Sequence, residues 1–190
     1  MVLREVSPLI WRRFLVASDT TLDVLHAVLQ VAFSWSDIHL HRFKVHGREY
    51  DGVYDCGQVR LADLGLRATE RFIYDYDFGD LWRHDIRVEQ VSDPEPGRTY
   101  PVCTGGRRAG PPEDCGGPWS FLDQTQPYRI SAATIRVAEI MGEILDDITV
   151  LDDYREEFAF LRPWLMTERF ERRALNRSLA ELSTPEERAA

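Results

Sequence analysis

At 190 residues, with 44% hydrophobic and 11% aromatic side chains, the chain is long enough to bury a real core and too short for two full domains. Its net charge of -9 gives no general attraction to phosphate backbones, although a local basic patch can survive on an acidic protein. No stretch approaches the ~18 apolar residues that cross a bilayer and no basic segment leads into an apolar signal core, so a cytoplasmic protein without membrane contact is expected.

The opening, Val2 to Val16, alternates with Pro8 interrupting it, and predicts one kinked strand. Ser18 to Thr21 supplies N-cap chemistry for a helix whose Leu22, Leu25, Leu29, Ala32 and Phe33 repeat on one face. From His39 to Val45 the period changes to two, with His39, His41, Phe43 and Val45 on one side. Tyr50 to Gln58 reads as turn, Leu61 to Leu66 as a short helical turn, and Arg71 to Phe78 as a strand. Phe78-Gly79-Asp80 makes a tight turn into Leu81 to Val91, which places Trp82, His84, Ile86 and Val88 on one face.

Ser92 to Gly97 and Gly105 to Pro118 read as ordered loops around a short extended piece at Tyr100 to Cys103. Helical composition follows at Ser131 to Asp146, Asp152 to Leu161 and Thr167 to Leu182, with Pro163 separating the last two. The expected architecture is one α+β domain over 1–182. Its strand-rich part, 1–128, carries a mostly antiparallel sheet with the early helix packed on it; a helical part, 129–182, and a frayed tail, 183–190, follow.

Several stretches carry a resemblance: Ile10-Trp11-Arg12-Arg13, Trp35 with His39-Leu40-His41-Arg42-Phe43, the run Tyr74 to His84, and Pro111-Pro112-Glu113-Asp114-Cys115-Gly116-Gly117. Phe170, Asn176 and Leu179 add a weaker late match. In these the chain resembles the root-inducing-plasmid third-open-reading-frame family, whose members are often labelled transposon-passenger, TnpR-like proteins. The resemblance implies an α+β fold and an association with plasmids or transposons, and it carries over no catalytic activity. Similar proteins have more first strand ahead of Trp11, so a shortened start is expected.

The sharpest chemical reading is a divalent-metal site. His39 and His41, two apart on a strand, aim at one ion, His84 or Asp80 completes the set, and Glu113 and Asp114 offer a general base or further ligands. Against it, histidines on an apolar strand face are commonly neutral, hydrogen-bonded core residues, and Asp77 and Asp80 beside Gly79 are ordinary turn carboxylates. His26, on the apolar face of its helix, reads as a buried structural histidine. Cys115 is a poor nucleophile, because its adjacent acidic residues raise a thiol pKa.

For nucleic acid the candidates are Arg12-Arg13, Arg107-Arg108, and the stripe of Arg169, Arg172, Arg173 and Arg177, interrupted by Glu168, Glu171 and Glu181. Serine-recombinase chemistry is excluded, since Arg4-Glu5-Val6-Ser7 runs at once into Pro8. No P-loop, dinucleotide fingerprint or H-E-x-x-H occurs. The sequence favours an accessory domain that binds a protein or nucleic acid, with a metal-dependent hydrolase or nuclease as the alternative. No cofactor other than a divalent metal is suggested.

Overall fold

Alternating apolar residues in the first two thirds of the chain have to bury one face, and they do so in a single antiparallel sheet. The computed structural model describes residues 1–182, apart from the side chains at positions 53 and 54, so the expected frayed tail, 183–190, lies outside the described residues. Among them the strands are β1 (Val2–Leu3), β2 (Trp11–Leu15), β3 (His41–Val45), β4 (Arg48–Asp51), β5 (Arg71–Tyr76), β6 (Trp82–Arg87) and β7 (Val102–Arg107). They lie in the order β4-β3-β5-β6-β1-β2-β7, each antiparallel to its neighbour.

The early helix α1 (Leu22–Phe33) covers one face of this sheet, burying Leu22, Leu25, Val28, Leu29 and Phe33 against Phe43, Tyr74, Tyr76 and Trp82. Full burial of side chains this large is worth about 2 kcal/mol each, which makes this layer the main source of stability. The opposite face is polar. Asp75, 1% exposed, is held there by Arg83 at 2.7 Å and Arg42 at 3.1 Å.

Chain order continues with α2 (Gly52–Gln58), then α3 (Gly117–Gln124), α4 (Pro127–Asp146), α5 (Arg155–Leu165) and α6 (Arg172–Leu182), so the class is α+β as expected. The helical third divides in two. Leu175 and Leu179 of α6 join the sheet core, whereas Ile140 and Ile144 are buried in a separate hairpin of α4 and α5.

Four local expectations are corrected. Val2 to Val16 is two strands rather than one kinked strand, because the chain reverses around Pro8 and pairs Val2 with Trp11. Tyr50 to Gln58 is the end of β4 and the helix α2 rather than turn. Strand β7 continues through Gly105 and Gly106, expected as loop, since glycine is what the packing requires there: a Cβ on Gly106 would sit 2.5 Å from the Phe170 ring. Pro163 lies inside the last turn of α5, where its missing N–H ends little of the helix, and the break before α6 falls after Met166.

Candidate functional site

Two polar regions emerge at different places on the sheet. The first is a corner where three segments meet: the loop after α1, the turn between β5 and β6, and the loop leading into α3. Glu113 ties them together, accepting a hydrogen bond from the Tyr76 hydroxyl on Oε1 at 2.7 Å and from the Ser36 amide on Oε2 at 2.8 Å. Trp35 donates its indole N–H to the Pro111 carbonyl at 2.9 Å and stacks on Tyr76. Asp80 accepts from the Gly116 amide at 3.0 Å. Gly117 has a φ of +77°, and any Cβ there would stand 2.6 Å from the Asp80 carbonyl oxygen, so the loop can close on the turn only with glycine at this position.

Burial and the Glu113 carboxylate push the Tyr76 phenol above its ordinary value, so it remains a donor. Burial, and then Asp80, push the Cys115 thiol up to about 12, which argues against a nucleophilic thiolate.

At the rim of this corner His39 faces two carboxylates. Asp77, 6% exposed, receives the Gly79 and Asp80 amides on Oδ1, and its Oδ2 lies 3.7 Å from His39 Nε2. Asp114 Oδ1 is 2.9 Å from the same nitrogen, yet Nε2 forms no hydrogen bond, so the oxygen stands beside the N–H direction rather than along it. His39, Asp77 and Asp114 thus present three potential ligand atoms within 4.8 Å of one another.

The expected convergence of His39, His41 and His84 does not occur. His41 pairs across the sheet with Tyr76 and His84 with Tyr74, so strand β5 lies between the two histidines and holds them roughly two strand spacings, about 10 Å, apart. His84 is fully buried, edge-on to Phe33 and Trp35, and burial pushes its pKa down to about 3. His41 instead stacks on His26, with ring centroids 3.5 Å apart and planes 11° from parallel. Burial, and then the neighbouring His26, bring the His41 pKa down to about 4.

The bonding of His26 fits the structural role expected from its place on the apolar helix face. Nδ1 meets the Tyr74 hydroxyl at 2.7 Å and Nε2 meets Asp37 at 2.6 Å, while Gln30 completes the network by donating to the same hydroxyl at 3.0 Å. Burial lowers the His26 pKa against the pull of Asp37, so this is a neutral hydrogen-bonded histidine. His26, Asp37 and His41 form a second cluster of possible ligands. Imidazole lone pairs lie in the ring plane, and two stacked rings cannot both point theirs at one ion between them.

The second polar region lies at the free edge of the sheet. Helix α6 runs against β7, and Asn176 grips the strand like a ladder residue, accepting from the Cys103 amide at 2.7 Å and donating to its carbonyl at 3.0 Å. With Leu179 buried below and Phe170 against Gly106, the late residues of the resemblance are the anchors of this helix. Between helix and strand runs a groove of about 580 Å³ walled by Arg98, Arg172, Arg173 and Arg177. Arg172 donates to the Thr104 carbonyl at 3.1 Å and Arg98 is paired with Glu95 at 2.6 Å. Arg173 and Arg177 are exposed and make no ion pair among the described residues.

The other predicted arginines divide. Arg107 and Arg169 are exposed. Arg108 is 3% exposed and bound to Glu168 and the Pro8 carbonyl, each within 2.7 Å, so it is a structural tie. Arg12 is likewise core: 2% exposed, with its guanidinium over the Phe33 and Phe170 rings, and burial lowers its pKa to about 10.

Comparison with known proteins agrees with this architecture. A family model described as plasmid pRiA4b ORF-3-like protein matches residues 1–147. The uncharacterized protein y4hQ of Sinorhizobium fredii (strain NBRC 101917 / NGR234) is 35% identical over 135 residues, 65% of this chain and 68% of the relative. The crystal structure of a protein of unknown function, MM3350 from Methanosarcina mazei Go1, superposes with a TM-score of 0.63 at 29% identity, covering 91% of this chain and 93% of the other. Among the described residues no helix is long and apolar enough to cross a membrane.

Proposed function

Because the chain belongs to the plasmid pRiA4b ORF-3-like protein family, and neither relative's name assigns an activity, we propose a function from its own surface: a binding domain that takes up nucleic-acid phosphates in the groove between α6 and β7. The supporting observation is that Arg98, Arg172, Arg173 and Arg177 wall one groove of a protein whose net charge is -9. Concentrating guanidinium groups on one side of an acidic molecule creates a local positive potential, and their forked N–H groups match phosphate oxygens.

The anchoring of α6 supports the same reading. Leu175, Asn176 and Leu179 face the sheet, which fixes the helix and turns Arg173 and Arg177 outward on successive turns. Side chains held at a helix spacing along a strand edge can follow a phosphate backbone without reading its bases.

Fluorescence anisotropy with labelled single- and double-stranded DNA and RNA 20-mers, from low to physiological salt, tests this. Binding should weaken steeply with salt. The Arg172→Ala/Arg173→Ala/Arg177→Ala variant should reduce the log–log salt slope by about 1 for each phosphate that it no longer neutralises. A flat anisotropy at the lowest salt, or a triple variant that binds as the parent does, would end the proposal.

A further inference from the structure

We propose that His39, Asp77 and Asp114 form a divalent-metal site of the zinc class, with one imidazole and two carboxylates as ligands and an open position facing solvent. This is independent of the arginine groove and rests on other residues. In a tetrahedral zinc site with ligand bonds of about 2.0 to 2.2 Å, neighbouring ligand atoms stand roughly 3.3 Å apart. The separations from His39 Nε2, 2.9 Å to Asp114 and 3.7 Å to Asp77, bracket that value.

The bonding around each ligand leaves the needed atoms available. Asp77 commits Oδ1 to two backbone amides, which fixes the carboxylate and turns Oδ2 toward the imidazole. Backbone amides that orient a ligating carboxylate play the part of an outer shell. Nε2 of His39 is shielded from solvent and makes no hydrogen bond although the Asp114 oxygen lies 2.9 Å away, so this buried nitrogen has no partner that satisfies it. Two carboxylates this close repel each other, and a divalent cation relieves that repulsion more completely than one imidazole can.

The second cluster, His26, Asp37 and His41, is the weaker candidate despite having two imidazoles. Both ring nitrogens of His26 are already engaged by Tyr74 and Asp37, and its ring lies parallel to that of His41. The His39 set also has access to solvent, because the Asp114 side chain is 64% exposed. Three protein ligands and a fourth position open to water is the coordination of reactive rather than structural zinc.

The test uses full-length protein purified without a histidine tag, stripped of metal and titrated calorimetrically with zinc chloride, with manganese and magnesium chlorides as comparators. About one zinc per chain should bind, more tightly than manganese and far more tightly than magnesium. Cobalt substituted for zinc should show the visible absorption of a tetrahedral site. Asp114→Asn and His39→Gln should each weaken zinc at least tenfold, while Asp37→Asn, which disrupts only the other cluster, should leave it unchanged. Asp114 and Asp37 are exposed enough for both variants to fold, and circular dichroism checks this. No zinc uptake at millimolar concentration, or a loss in Asp37→Asn without one in Asp114→Asn, overturns the site.

Discussion

At the corner, Glu113 gives both carboxylate oxygens to protein donors, Asp80 reaches a backbone amide and Trp35 a carbonyl. At the groove, Arg173 and Arg177 face solvent with no ion partner among the described residues. Both regions are dense in polar residues, and the family match over residues 1–147 takes in the corner and stops short of α6. The difference teaches that a polar signature residue has to be asked who already holds it. Most of the corner is architecture, a clasp joining three segments. Its rim, where His39 Nε2 is unbonded, and the groove, where Arg173 and Arg177 have no ion partner among the described residues, are where polar groups stay uncommitted to the fold.

The largest expected effect tests whether the interior histidines belong to the architecture. His84 and His41 have folded-state pKa values lowered to about 3 and about 4, chiefly by burial. In the unfolded chain each titrates near ~6.5. Between those values the unfolded chain binds more protons than the folded one, so the stability present above pH ~6.5 is lost as the pH falls toward 4 and 3. From pH 7.5 to 4.5 the two together should cost on the order of 5 kcal/mol, read as a falling urea midpoint. A midpoint that stays level across that range would mean these imidazoles are not held neutral by burial.

Glu113→Ala is expected to be the next largest. It strands the hydroxyl of a fully buried Tyr76 and releases the exposed Ser36 amide to water. Leaving such a hydroxyl unsatisfied should cost about 2 to 3 kcal/mol in urea unfolding, whereas Tyr76→Phe, which removes one partner cleanly, should cost about 1. Because both remove the same bond, the double variant should be less destabilised than the sum. An effect of Glu113→Ala under about 0.5 kcal/mol would show that the clasp does not hold the corner closed.

Periodicity makes part of this legible in advance. Leu22 to Phe33 and the pair β5 and β6 announce themselves by apolar spacing and by the glycine turn at Gly79, and the structure places them where the spacing implies. Periodicity also states which side chains share a face, and for the histidines that is misleading. His41 and His84 do face the same side, but strand order decides distance, and β5 intervenes. Asp77 looks like an ordinary turn residue because its Oδ1 is one; that its Oδ2 faces the His39 imidazole follows only from the fold. Gly105 and Gly106 read as loop because nothing local reveals that Trp11 and Phe170 will lie against them. Pairing and close packing between distant segments are tertiary facts, and they account for each of these misses.

The smallest expected effect is a near absence of one, and it separates groove from clasp most directly. Arg173→Ala and Arg177→Ala remove long, exposed side chains without ion partners, so each should move the urea midpoint by no more than about 0.5 kcal/mol. Arg108, just past the end of β7, provides the contrast: 3% exposed, it ties Glu168 and the Pro8 carbonyl, and Arg108→Ala should be clearly destabilising. If Arg173→Ala and Arg177→Ala prove as costly as Arg108→Ala, the groove arginines are structural ties like Arg108. If they leave stability intact while anisotropy with DNA collapses, their guanidinium groups are reserved for a partner, because a charge that contributes nothing to the fold and is needed for binding has only the ligand to act on.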